Sequence, residues 1–227
     1  MSTVPAESPH ARYQLIDTLL TRPPPGYVFV VMVSQDSHFD LFMHTIVRRS
    51  IELGMKTLQV VTEARNRSIM RAMAQNQGER FQILEVSYGQ ELLGVHSCSR
   101  HLHEINIMLR EMRSTYAPRV VSFEGLTPLL IDFSPKDVVQ FFKESVEESV
   151  KAGSLEFYLI HEDAADKVTI NQIFSLAQGI ITLTTSKGKY YLEVKKSSGL
   201  DLKMSSVEYV PSMPDNDRTE WGIMVSW

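Results

Sequence analysis

The sequence predicts an α/β fold with a mainly parallel central sheet. Three observations carry that expectation. Tyr27 to Val33 is a run of seven apolar or aromatic residues, short and continuous as in a strand buried on both faces. After the polar turn Ser34-Gln35-Asp36-Ser37-His38, the residues Phe39, Phe42, Met43, Ile46, Val47 and Ile51 recur at helical spacing, and Gly54 stops the helix. Leu58 to Val61 then reads as a second buried strand, closing on Thr62-Glu63-Ala64. Strand, helix and strand in that order form a βαβ unit, which requires parallel pairing.

The remaining elements follow from the same patterns. Met1 to Arg12 is polar, carries Pro5 and Pro9, and is expected to be flexible. Tyr13 to Leu20 is a short helix candidate, ended by the stiff turn Thr21-Arg-Pro-Pro-Pro-Gly26. Arg65 to Gln77 carries Ile69, Met70 and Met73 on one side and reads as a helix, its methionines as core filler. Phe81 to Val86 is a third strand, and Tyr88 to Val95 a loop or short irregular helix. His96 to Tyr116 is expected to be one long helix, with Leu102, Ile105, Leu109 and Met112 on its apolar stripe. Arg119 to Phe123 is a strand ending in Glu124. Ser134 as N-cap and Pro135 at the first position open a helix that Gly153 closes. Leu155 to Ile160 is a strand, Asp163 to Ala177 a helix, and Ile180 to Thr184 another strand.

Beyond Thr184 the helical pattern stops. Thr185 to Lys189 is a turn, Tyr190 to Val194 alternates as a hairpin partner, and Ser205 to Val210 and Trp221 to Trp227 are short strands. No repeat or low-complexity linker interrupts residues 1–227, so one domain is expected, with 185–227 as a β-rich extension of the sheet.

Composition excludes several function classes. The hydrophobic fraction of 43% and charged fraction of 22% fit an ordinary globular core. A net charge of −4 supplies no general attraction to nucleic acid. One cysteine, Cys98, leaves no internal disulfide framework and fits a reducing compartment. Neither an 18-residue apolar run nor a basic-then-apolar leader is present, so a cytoplasmic location is expected. His96, His101 and His103 lie close in sequence, but His101 and His103 point to different faces of a helix, so no metal site is expected.

The turn after the first strand is where a βαβ fold usually binds phosphate. Such a cradle needs glycines for converging N–H groups, a Lys for the β/γ-phosphates and a Ser or Thr for magnesium. Here no Gly occurs between Gly26 and Gly54, and no Lys before Lys56, while Asp36 and Asp40 repel an anion. Asp36, Ser37 and His38 are hydrolase residue types, but neighbours on a turn do not form a nucleophile–base–orienter chain.

The order of landmarks resembles the RecA superfamily, within it the archaeal KaiC/RadA-like branch, over roughly Leu15 to Leu200. Leu53-Gly54-Met-Lys56-Thr-Leu58-Gln-Val60-Val-Thr62-Glu63 resembles the family's second strand and its glutamate-bearing end. Arg119-Val-Val-Ser-Phe-Glu124-Gly-Leu126-Thr-Pro128-Leu-Leu130 resembles the Walker B strand and the run after it. Ala177-Gln-Gly179-Ile-Ile-Thr-Leu183, followed by Tyr191-Leu-Glu-Val-Lys195-Lys196, resembles the closing strand pair.

The resemblance implies a three-layer α/β/α domain with C-terminal antiparallel hairpin strands. It places Gln35 to Phe39 at the Walker A positions in a turn about two residues short. It makes Ser34, Gln35, Asp36, Ser37 and His38 a degenerate phosphate loop, and Glu63 and Glu124 vestigial catalytic acids. Lys187, Lys189, Lys195 and Lys196 form a basic hairpin edge, of which Lys195 and Lys196 match the family's trans-acting basic residues only loosely. Phosphoryl transfer rests on positioning and charge neutralisation, so neither ATP turnover nor an ATP/Mg cofactor is expected. The expectation is a non-hydrolysing paralogue that acts by assembly, with itself or with an active relative. The alternatives are a repurposed pocket near Ser34, Glu63 and Glu124 for a nucleotide or other small molecule, and a DNA-binding accessory role through the lysine edge, where at most one of Tyr190 and Tyr191 faces the groove as a stacking platform.

Overall fold

The computed structural model describes residues 13–62, 71, 74, 77–87, 94–200, 202, 206–212 and 222–225. Its elements run α1 (Gln14–Thr21), β1 (Val28–Val33), α2 (Phe39–Glu52), β2 (Thr57–Val61), β3 (Phe81–Val86), β4 (Val95–Cys98), α3 (Leu102–Thr115), β5 (Val120–Phe123), α4 (Thr127–Asp132), α5 (Pro135–Ala152), β6 (Leu155–His161), α6 (Lys167–Leu176), β7 (Gly179–Ser186), β8 (Lys189–Ser197), β9 (Ser206–Ser212) and β10 (Gly222–Val225). The described strands form one ten-stranded sheet in the order β10-β9-β8-β7-β1-β6-β5-β2-β3-β4. From β7 through β1 to β4 all pairings are parallel, and β7-β8, β8-β9 and β9-β10 are antiparallel.

Strand alternation divides the core into two layers. Phe29, Val31 and Val33 of β1 face α1 and α2, in a cluster that also takes Leu192 of β8, Tyr209 of β9 and Ile223 of β10. Val28 and Val30 face the opposite side, where Ile105 and Leu109 of α3, Phe142 of α5 and Ile173 of α6 pack. Helices thus cover both faces of the sheet, as its continuous apolar strands require.

Local chemistry sets the helix ends. Ser134 Oγ accepts a hydrogen bond from the Asp137 N–H at 3.2 Å and caps α5, and Gly153 ends it in the left-handed region at φ +72°. Two expected helix starts are corrected, and one short helix is added. Val95–Cys98 is a strand, so the helix expected from His96 begins at Leu102; His96 lies in β4, and a half-buried edge strand lacks the apolar run that marks inner strands. Residues 127–132 form a separate short helix, with Pro128 in its first turn. The helix expected from Asp163 begins at Lys167, because Asp166 caps it by accepting from the Thr169 N–H at 2.9 Å. The helix expected over Arg65 to Gln77, the loop at Tyr88 and the expected flexible segment Met1 to Arg12 lie largely or wholly outside the described residues, as do Trp221 and Trp227.

A buried ion pair ties α3 to β6. Arg113 donates to both oxygens of Glu156, at 2.8 and 2.7 Å, and also to Ser145 Oγ and Tyr158 Oη. The two charged side chains are 3% and 0% exposed. Burial works against the charged guanidinium, but Glu156 and Tyr158 outweigh it and raise the Arg113 pKa. The Tyr158 phenol is pushed up by burial and then by the Glu156 charge.

Candidate functional site

The chain leaves β1 through α2 on one face of the sheet and leaves β6 through α6 on the other. β1 and β6 are neighbours, so a crevice opens beyond their C-terminal ends, the usual ligand position of an open α/β sheet. A cleft of about 280 Å³ lies there, lined by Val33, Gln35, Thr127, His161, Glu162, Asp163 and Ala164. That volume sits just under the roughly 300–1,000 Å³ typical of small-molecule sites. The His161 ring stands edge-on against Phe39 at 4.7 Å between centroids, and Thr127 Oγ1 accepts from the His161 N–H at 2.9 Å. Among the described residues of the lining stand two carboxylates and no Lys or Arg. Each carboxylate–phosphate charge pair about 5 Å apart in water costs roughly 0.8 kcal/mol, so the lining disfavours a polyanion.

The turn between β1 and α2 forms the adjoining wall, and its backbone is held from within the molecule. Ser34 O accepts from both Ser37 N, at 3.2 Å, and Ser37 Oγ, at 2.7 Å. Thr185 Oγ1 of β7 donates to Asp36 O at 3.1 Å, and Tyr209 Oη of β9 donates to Ser37 O. His38 Nε2 lies 3.1 Å from Tyr190 Oη of β8. His38 is left-handed, at φ +49° and ψ +39°, a conformation that a side chain adopts at a steric cost where glycine would not. Ser37 is fully buried and His38 half-buried, while Gln35 and Asp36 are exposed.

By sequence, no family model and no curated protein matches the chain. Among solved structures it is similar to a KaiC-like protein of the hyperthermophilic archaeon Pyrococcus horikoshii OT3. The TM-score is 0.69 at 12% identity, over 89% of this chain and 90% of that one. The chain has a KaiC-type, RecA-like fold.

On this RecA-like frame the residues expected from the sequence separate. Ser34 to His38 form the tied turn, of which Gln35 reaches the cleft lining. Glu124 is half-buried just past β5 and is not among the lining residues. Glu63 lies outside the described residues. Of the lysine edge, Lys189 pairs with Glu208 at 2.8 Å and Lys195 with Glu193 at 3.8 Å. Lys196 donates to Phe174 O and Ala177 O, closing the end of α6, and Lys187 is exposed on the β7–β8 turn. Tyr190 is turned to His38 and Tyr209 (ring centroids 5.0 and 5.6 Å). His101 and His103 border and begin α3, and among the described residues no three His, Cys, Asp or Glu side chains converge as metal ligands.

Sequence reasoning missed His161, Glu162, Asp163 and Thr127 as cleft residues. The available signal was the change from Leu155–Ile160 to the polar triplet His161-Glu162-Asp163 at the end of a buried strand. Neither Tyr209 nor Thr185 carries any sequence mark of its contact with a turn about 150 residues or more away.

Proposed function

We propose that this protein is a non-hydrolysing, KaiC/RadA-like paralogue that works as a regulatory or structural assembly protein. The observation that carries the reading is the crossover turn, which holds no glycine or lysine, includes Asp36 and has its carbonyls tied by Thr185, Tyr209 and Ser37. Catalysis of phosphoryl transfer needs a cradle of N–H groups and a cation on the transferred phosphate, and this turn has neither the glycines that let N–H groups converge nor a lysine. The vestigial acids Glu63 and Glu124 then have no nucleotide to serve. Function passes to surfaces, through assembly with itself or with an active relative that keeps its phosphate loop.

Two measurements test this. Purified protein is expected to release no phosphate from ATP with magnesium above a no-protein control. Light scattering after size exclusion, alone and with an active relative, is expected to report an assembly larger than a monomer. Magnesium-dependent turnover defeats the reading, as does a monomer that joins neither itself nor a relative.

The cleft of about 280 Å³ favours a second reading, a repurposed small-molecule site. A saturable thermal shift with a member of a nucleotide and metabolite panel would support it over assembly alone. For a DNA-binding role, the internal engagement of Lys189, Lys195 and Lys196 leaves little free basic edge, and salt-sensitive retention on single-stranded DNA is not expected.

A further inference from the structure

The β1–α2 crossover is gripped by the C-terminal strands at four points. Thr185 of β7 and Tyr209 of β9 donate to the carbonyls of Asp36 and Ser37, and Tyr190 of β8 meets His38. Farther along, the Ile223 N–H of β10 donates to Thr45 Oγ1 of α2 at 2.8 Å. The last contact is sterically exact: a Cβ at Gly222 would lie 2.6 Å from Thr45 Oγ1, so only glycine lets β10 approach α2 this closely. Tyr209 is 1% exposed and packs in the same core cluster as Phe39, Phe42 and Ile46 of α2.

These contacts are not needed to complete the parallel part of the sheet, which ends at β7. Three of them act on the turn that gives Gln35 to the cleft lining, and the fourth acts on the helix after it. From that turn Gln35 enters the lining, and Phe39, the next residue after His38, braces the His161 wall. A continuous path of contacts therefore runs from Tyr209 through Ser37, His38 and Phe39 to His161.

We propose that the ribbon β9–β10 is a strap: its seating on the crossover fixes the turn and, through Phe39, the His161 wall of the cleft. The strap is a two-position element. Seated, it holds Ser34 to His38 in their tied form. Lifted, it frees the carbonyl of Ser37 and the hydroxyl of Thr45, leaving Asp36 O on Thr185 of β7 and His38 against Tyr190 of β8. Linkage makes the coupling reciprocal, so whatever lifts the ribbon loosens the cleft wall, and whatever binds the cleft in its present shape holds the ribbon down. This inference goes beyond the assembly reading and stands whether or not the chain assembles or hydrolyses ATP.

Residue-resolved hydrogen exchange on the full chain tests the strap, since local opening shows as local loss of protection. Three variants weaken different grips: Tyr209→Phe and Gly222→Ala weaken the strap's own, on Ser37 O and Thr45, and Thr185→Val weakens the β7 grip beside them. In each, the amides of Ser34, Ser37 and Leu41 are expected to exchange at least tenfold faster. The amides of β2, β3 and α3, in the far half of the molecule, are expected to keep wild-type rates. Faster exchange in β9 and β10 with no change at the turn would overturn the proposal, because the ribbon would then move independently. Uniform acceleration through β2, β3 and α3 would also overturn it, because the contacts would then support global stability alone. If Gly222→Ala fails to fold, Tyr209→Phe, which leaves the backbone path open, decides the matter.

Discussion

Replacing Arg113 by Met leaves the Glu156 carboxylate in the core without its cation. Glu156 is 0% exposed, and its remaining hydrogen-bond donors are Ser154 Oγ at 2.6 Å and Tyr158 Oη at 2.7 Å. Four guanidinium hydrogen bonds disappear, two of them to the carboxylate. Breaking one side of a buried pair costs about 3–5 kcal/mol, mostly as the penalty of the stranded charge. Against a total stability of about 5–15 kcal/mol, that is a large fraction. For a chain of this size, about 2–4 °C of melting temperature accompanies each kcal/mol, so a fall of roughly 6–20 °C is expected. Removing the stranded charge as well, in Arg113→Met with Glu156→Gln, is expected to recover at least half of the loss. The assay is urea unfolding of the wild type, both single variants and the double variant, read as a double-mutant cycle with a coupling of about 2 kcal/mol or more. A loss below about 1 kcal/mol in Arg113→Met, or a double variant no better than the single ones, would refute the reasoning.

Other expectations follow from single groups. Burial, with Arg48 adding, holds the His44 imidazole down to about 4 from 6.5. Between those values the unfolded chain binds a proton that the folded chain refuses, so stability is full above pH 6.5 and falls as the pH drops towards 4, by about 2–3 kcal/mol; His44→Gln is expected to flatten that slope in urea titrations. Burial, and then Glu104, pushes the Cys98 thiol up to about 11, so at pH 8 an aromatic disulfide reagent is expected to label it only as fast as the protein opens. A Cβ at Gly179 would lie 2.2 Å from the Phe29 ring, so Gly179→Ala is expected to cost about 1–3 kcal/mol by overpacking, measured by thermal unfolding.

The parallel half of the fold was legible because its signals are local. The continuous apolar strand at Val28–Val33, the helical spacing of Phe39 to Ile51, and the Ser134 and Gly153 punctuation each act within a few residues and reappear in the structure. β4 was not legible, because His96 and Ser97 face a half-exposed edge where no apolar run is required. The site was legible in its frame: the turn at Ser34 to His38 sits where the βαβ pattern puts it. Its filling was not, because Tyr190, Thr185 and Tyr209 arrive from strands about 150 to 170 residues later. Glu156 was hidden for a related reason. A lone Glu inside Leu155–Ile160 reads as a solvent-facing position of the strand until α3 brings Arg113 over it.

The central claim is that the crossover turn does not seat a triphosphate. Calorimetric titration of the intact protein with ATP and magnesium, carried to millimolar nucleotide, tests it most directly. The expected result is no saturable heat beyond dilution. Saturable one-site binding in the micromolar range, lost on substitutions in residues 34–38, would contradict it.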